Sequence, residues 1–93
     1  MAKISLPLKE ACQLEYVRRE GVHNMLDFNG VHQRANQLEF HELVVWMAMN
    51  KSSYSHLLFE GFNVVDPDAG ERLDSREYFK KYPEKLEELE EVL

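Results

Sequence analysis

Apolar positions through residues 1–61 recur at helical intervals and not at alternating ones. Leu8, Ala11, Cys12 and Tyr16 fall at i, i+3, i+4 and i+8, while Lys9, Glu10, Glu15, Arg18 and Arg19 belong mostly to the opposite, wet side. Ser5 is placed to cap this helix, Pro7 is tolerated in its first turn, and Gly21 is placed to end it in a left-handed cap. A loop from Val22 to Leu26 follows, and Asp27 or Asn29 can cap a short second helix with Val31, Ala35 and Leu38 on one face. The phase then slips. Phe40, Leu43, Val44 and Met47 begin a new register, which predicts a bend near Leu38–Glu39. Val45, Trp46, Ala48 and Met49 make the third helix apolar almost all round, the pattern of a helix buried at the centre of a bundle. Ser52 or Ser53 can cap a fourth helix carrying Tyr54, Leu57 and Leu58, with Gly61 as its stop.

Beyond Gly61 the punctuation changes. Asp66-Pro67-Asp68-Ala69-Gly70 is a turn, since Pro67 pre-sets its own φ and Gly70 permits a reversal. Asp74 with Glu77 three residues on forms a capping box, and Leu73 and Tyr78 occupy the positions of a hydrophobic staple. Pro83 interrupts the helix so started, biases Tyr82 away from helical geometry, and can itself open a last helix. No stretch reads as a period-2 strand of useful length. The expected fold is all-α, a compact bundle of four short helices (1–61) with an acidic helical extension (62–93) packed on that core or on a partner.

Charge supports this division. Residues 1–61 carry six basic and seven acidic side chains, whereas residues 62–93 carry five and ten, within an overall net charge of −6. A chain of 93 residues makes one small domain, and its hydrophobic fraction of 44% is that of a globular protein. No apolar run approaches a membrane span, no basic-then-apolar leader opens the chain, and the lone Cys12 cannot form an internal disulfide, so the expected compartment is the cytoplasm. The acidic balance argues against broad attraction to nucleic acid or anionic lipid.

The candidate chemistry thins out on inspection. His23, His32, His41 and His56 are too widely spaced for a zinc site, and no metal or cofactor is expected. Asp66 to Glu77 imitates a calcium loop, but Glu71 stands where the sharp-turn glycine belongs. Cys12 on an apolar helix face reads as a small buried hydrophobe. No phosphate loop, nucleophile elbow or His-Glu-x-x-His pattern occurs, so an enzyme is not expected. The second and third helices could be taken for a helix-turn-helix, yet the second of the pair starts Phe40-His41-Glu42-Leu43 and offers no base-reading side chains. One feature stands out at the C-terminal end, where Glu84, Glu87, Glu88, Glu90 and Glu91 accompany Leu86, Leu89 and Leu93. These glutamates are either a solvated helix face or an acidic surface for a basic partner, whose on-rate charge complementarity would raise.

Asn24-Met25-Leu26-Asp27, then Val31, then Ala35-Asn36-Gln37-Leu38-Glu39-Phe40-His41-Glu42-Leu43-Val44, resembles a small domain of unknown function encoded by tailed phages and prophages. That family typically carries Asn-Met-Phe-Asp, an Ala-Asn-Glu patch and Gly-Phe-Tyr-Glu-Leu-Val, followed by a Tyr and a closing Gly, matched here by Tyr54 and Gly61. The likeness runs from about Glu15 to Gly61. Leu26 stands in place of the usual Phe, and Glu39 in place of the Gly between the second and third helices, which implies a shallower bend. Nothing is carried over to the segment after Gly61. The resemblance implies phage or prophage origin and an early accessory role, and no mechanism; Asp27 as cap and Phe40, Leu43 and Val44 as core explain the motif without a function.

The expectation is a non-enzymatic accessory protein that binds a host or phage protein with a basic surface, for example to inhibit a host defence complex as anti-CRISPR proteins do. The alternatives are a nucleic-acid-binding regulator using Arg18, Arg19, Arg34 and Lys51, and a homo-oligomeric assembly protein with Trp46 and Met49 at its interface.

Overall fold

The computed structural model describes residues 3–93. Strand β1 (Ile4–Pro7) leads into four helices: α1 (Leu8–Glu20), α2 (Phe28–Gln37), α3 (His41–Met49) and α4 (Tyr54–Glu60), the last entered through a 3₁₀ turn at Lys51–Ser53. Strands β2 (Phe62–Val65) and β3 (Arg72–Asp74) follow, then α5 (Ser75–Lys81) and α6 (Pro83–Glu91). The all-α expectation is therefore corrected. This is an α/β fold, six helices with a three-stranded mixed sheet, and not a four-helix bundle.

The sheet explains the error. β1 pairs parallel with β2, from Ile4↔Phe62 to Pro7↔Val65, and β3 pairs antiparallel with the other edge of β2, Val64 facing Leu73. A parallel pair needs a long crossover, and here the crossover is the whole α1–α4 segment. Each strand has only three or four residues, so each shows at most two inward positions: Phe62 and Val64 on β2, and Leu6 on β1. Ser5 and Pro7, read as cap and first-turn residues, are strand residues; α1 starts at Leu8 with no side-chain cap behind it. Leu73, read as a staple residue, also lies in β3.

The core forms where the sheet meets α1. Leu6 and Val64 are fully buried against Leu14, Val17, Leu43, Met47, Leu57 and Tyr78. The central helix is α1, which packs against β1, β2, α2, α3 and α6 and buries Ala11 through Glu15 without interruption. This corrects the expectation for α3. That helix touches α1 and α2 along one side, buries only Leu43 and Met47, and leaves Val45 56% and Met49 78% exposed. Helix α1 tolerates its central place despite Gln13 and Glu15 because both side chains are fully hydrogen-bonded.

Several local expectations hold. Gly21 ends α1 at φ 69° in the left-handed region, and the Asp27 side chain accepts a hydrogen bond from the Gly30 N–H at the start of α2. Asp74 caps α5 through the Arg76 N–H, and Pro83 opens α6 after a non-helical Tyr82. Ser53 precedes α4 but forms no side-chain cap. The break between α2 and α3 falls where the phase slip put it. At that break Glu39 takes φ 61°, the left-handed conformation natural to glycine. The radius of gyration, 12.4 Å, is that of a compact chain of this length, so α5 and α6 lie folded against the rest. Among the described residues no helix is long and apolar enough to cross a membrane.

Candidate functional site

Helix α1 separates the two surfaces singled out from the sequence. On one side, Val45, Trp46 and Met49 of α3 line an open groove of about 560 Å³ with His41, Glu42 and Glu10. On the other, Glu88 and Leu89 of α6 line a second groove against Leu8, Lys9 and Cys12. Lys9 joins the two, since it lines the α6 groove while its Nζ lies 3.3 Å from Glu42 Oε2. The α3 groove is thus a face with an apolar centre edged by Glu10 and Glu42, and the α6 groove is lined by Lys9 and Lys85 as well as by Glu88.

Position on this face is fixed by a buried glutamine. Phe40 provides no side-chain cap for α3, and Gln13 reaches across from α1 instead: its Oε1 accepts the Leu43 N–H at 2.9 Å, and its Nε2 donates to Glu42 Oε1 at 2.9 Å. The Gln13 bond is the main reason why the Glu42 carboxyl is pushed down to about 2, with Lys9 adding to it. Glu42 therefore stays a carboxylate at the rim of the groove.

All five glutamates of the acidic end, Glu84, Glu87, Glu88, Glu90 and Glu91, are exposed on α6, and none forms an ion pair among the described residues. Beneath them Leu86 is buried and Leu89 half-buried, so α6 is a seated helix with its charge facing out. Beyond it Val92 and Leu93 are exposed.

The basic residues are deployed differently. Arg18 and Arg19 do not form a patch with Arg34 and Lys51; both close on the buried carboxylate of Glu15, Arg18 through Nε at 2.8 Å and Nη2 at 2.6 Å, Arg19 through Nε at 2.7 Å. Burial pushes the Glu15 carboxyl up, but the two guanidiniums together outweigh it and hold it below the ordinary range. Arg34 makes a two-pronged pair with Glu20 at 2.8 and 2.6 Å, and Lys51 lies over the Phe28 ring. Arg18 and Arg19 face instead Arg76 and Lys80 of α5, across a cleft of about 480 Å³ floored by Leu57, Phe62 and Phe79. Sequence reading missed Arg76 and Lys80. Their i, i+4 spacing on α5 was visible, but the packing that sets α5 opposite α1 was not.

The remaining candidates have structural partners. His32 Nε2 lies 3.2 Å from the Val44 carbonyl, and His56 pairs with Glu60. Cys12 is buried, and that burial pushes its thiol up to about 11, far from a reactive thiolate. The calcium-like stretch is tied up internally: buried Asp66 accepts from Tyr78 Oη at 2.5 Å and from the Asp68 N–H, while Asp74 caps α5 and pairs with Lys3.

Residues 9–61 match the family described as domain of unknown function DUF5049, and because the match spans more than half of the chain, the protein belongs to that family. No curated protein and no solved structure matches it. The matched stretch runs from the first turn of α1 to the glycine that ends α4, leaving out all three strands, α5 and α6.

Proposed function

We propose that this DUF5049 member is a non-enzymatic accessory protein of phage or prophage origin that works by binding another protein in the host cytoplasm, in one concrete form by inhibiting a host defence or regulatory complex. The phage setting rests on the sequence resemblance alone. The binding role is supported above all by α3, an apolar helix that the fold does not bury: Val45 and Met49 stand in water beside Trp46, edged by Glu10 and Glu42. Covering such side chains is worth roughly 25 cal/mol per Å² of apolar surface removed from water, and aromatic and methionine anchors of this kind form the centres of protein interfaces. The unpaired glutamates of α6 supply a negative margin that favours a partner with a basic rim.

Of the four cations of the nucleic-acid alternative only Arg18 and Arg19 line a common cleft, while Arg34 is paired with Glu20 and Lys51 lies over the Phe28 ring, which weighs against one continuous basic track.

The test is affinity capture from host lysate with the full chain and two variants, Val45→Ser/Met49→Ser and the five-fold Glu→Gln change at 84, 87, 88, 90 and 91. Substitution is preferred to removing α6, because Leu86 would leave a hole in the core. The expected outcome is a stoichiometric protein captured by the parent, lost by the α3 variant, and held more weakly by the α6 variant with a flatter salt dependence. Nucleic acid alone, or a protein captured equally by all three, would overturn the reading. A dimer in light scattering that the α3 variant abolishes would assign the face to self-association instead.

A further inference from the structure

The cleft between α1, α4 and α5 shares no lining residue with the face just described, and it has the opposite charge. Arg18, Arg19, Arg76 and Lys80 stand around one carboxylate, that of Glu15, an excess of three positive charges in a protein whose net charge is −6. No carboxylate pairs with Arg76 or Lys80 among the described residues.

The role of Glu15 is the informative part. A buried carboxylate is costly unless it is paired, and Glu15, with its side chain 7% exposed, is paired twice. Arg18 meets it with Nε and Nη2, and Arg19 with Nε only. Nη1 of Arg18 and both terminal nitrogens of Arg19 therefore remain as donors, on guanidiniums whose rotation the buried carboxylate has removed. Both arginine side chains are half-exposed, so these donors are accessible to solvent. Behind them half-buried Leu58 and the small exposed edges of Phe62 and Phe79 give a narrow apolar floor over buried Leu57, with the nearly buried Ser75 beside them.

We propose that this cleft binds a small organic phosphate, with the phosphate held by Arg18, Arg19, Arg76 and Lys80 and a compact apolar body lying against Leu58 and the exposed edges of Phe62 and Phe79. Guanidinium forks match phosphate oxygens in geometry, and a dianion offsets most of the local excess. The volume lies within the range of small-molecule sites. A nucleic-acid strand fits less well, because the cations gather in one cleft and do not follow a track across an otherwise acidic surface. Glu15 is a positioning residue: it presents the arginines and does not itself meet the ligand.

The experiment is a titration of the full-length protein followed through backbone amide NMR shifts, with phenyl phosphate, inorganic phosphate and a short single-stranded oligonucleotide as probes. Phenyl phosphate is expected to bind about tenfold or more tightly than inorganic phosphate, a gap of roughly 1.4 kcal/mol. Its shifts are expected to centre on residues 15–19, 57–62 and 75–80. Arg76→Ala/Lys80→Ala, at two exposed positions that leave the core intact, is expected to weaken phenyl phosphate by more than about tenfold. Lys51→Ala is expected to change nothing. Equal binding of the two phosphates, an unchanged affinity in the double variant, or tighter binding of the oligonucleotide would each overturn the proposal.

Discussion

Residues 9–61, the part shared with the family, and the flanking elements around β1 and beyond Gly61 are built on different principles. The family segment is helical, and its backbone hydrogen bonds close within a turn of where they start. The flanks are held by strand pairing, Ile4 with Phe62 across the whole helical segment and Val65 with Arg72 across a short turn, and by a buried polar bond, Tyr78 to Asp66. Yet the two parts share one core: Leu6 and Val64 of the sheet and Leu14, Leu43 and Leu57 of the helices belong to the same buried cluster. The difference teaches that a sequence family boundary need not be a folding boundary. Residues 9–61 carry the family motif, while α1, the helix at the centre, has β1 and β2 packed against it.

The largest test of that statement is Leu6→Ala. Leu6 is fully buried in a four-residue strand outside the family segment, and removing its side chain is expected to cost about 2–5 kcal/mol. Trp46, the only tryptophan, lies on α3 within the family segment and reports on that part alone. If the two parts are one cooperative unit, the Trp46 fluorescence transition and the far-UV circular dichroism transition fall together to the same lower midpoint. A Trp46 transition that stays put while the rest melts early would make residues 9–61 a unit of their own.

Next in size is Tyr78→Phe, which removes the one side-chain donor to buried Asp66. Hydrogen bonds to a charged group are worth about 1.5–3 kcal/mol, and a loss within that range is expected in chemical denaturation at neutral pH. Asp66 is held below the ordinary carboxylate range chiefly by this bond. A depressed carboxyl stabilises the fold fully above its unfolded value, about 3.9 for Asp, and that contribution is lost as pH falls through the lower folded value. The gap between parent and variant is therefore expected to be constant above about pH 5 and to shrink below about pH 4. A gap that does not change with pH would mean that the tyrosine acts by packing alone.

Legibility followed the same line. Caps and stops at Gly21, Asp27, Asp74 and Pro83 depend on neighbours a few residues away, and each stands where its local chemistry puts it. The strands were invisible because β1 is recognisable only by its partner, Phe62–Val65, on the far side of four helices. The reading of α3 failed for a related reason. Its composition is that of a buried helix, but burial is decided by how many elements surround it, and it was α1, with Gln13 and Glu15 satisfied by Glu42, Leu43, Arg18 and Arg19, that the sheet and helices enclosed. The candidate cleft needed the same long-range knowledge, since Arg18 and Arg19 meet Arg76 and Lys80 only once α5 has been set beside α1.

The smallest expected effect lies inside the family segment, at Glu39. The sequence resemblance implies a glycine there, and the backbone has a glycine geometry, φ 61°, with the glutamate side chain exposed. A non-glycine residue in the left-handed region costs roughly 1–2 kcal/mol, part of which a glycine would return as extra freedom of the unfolded chain. Glu39→Gly is therefore expected to stabilise the protein by about 0.5–1 kcal/mol, read as a higher denaturation midpoint with an unchanged slope. The gain should appear equally in Trp46 fluorescence and in circular dichroism, because relief of strain between α2 and α3 in a one-core protein is felt by the strands as well. A destabilised Glu39→Gly would mean that the glutamate makes a compensating interaction in solution that outweighs the strain of its left-handed backbone.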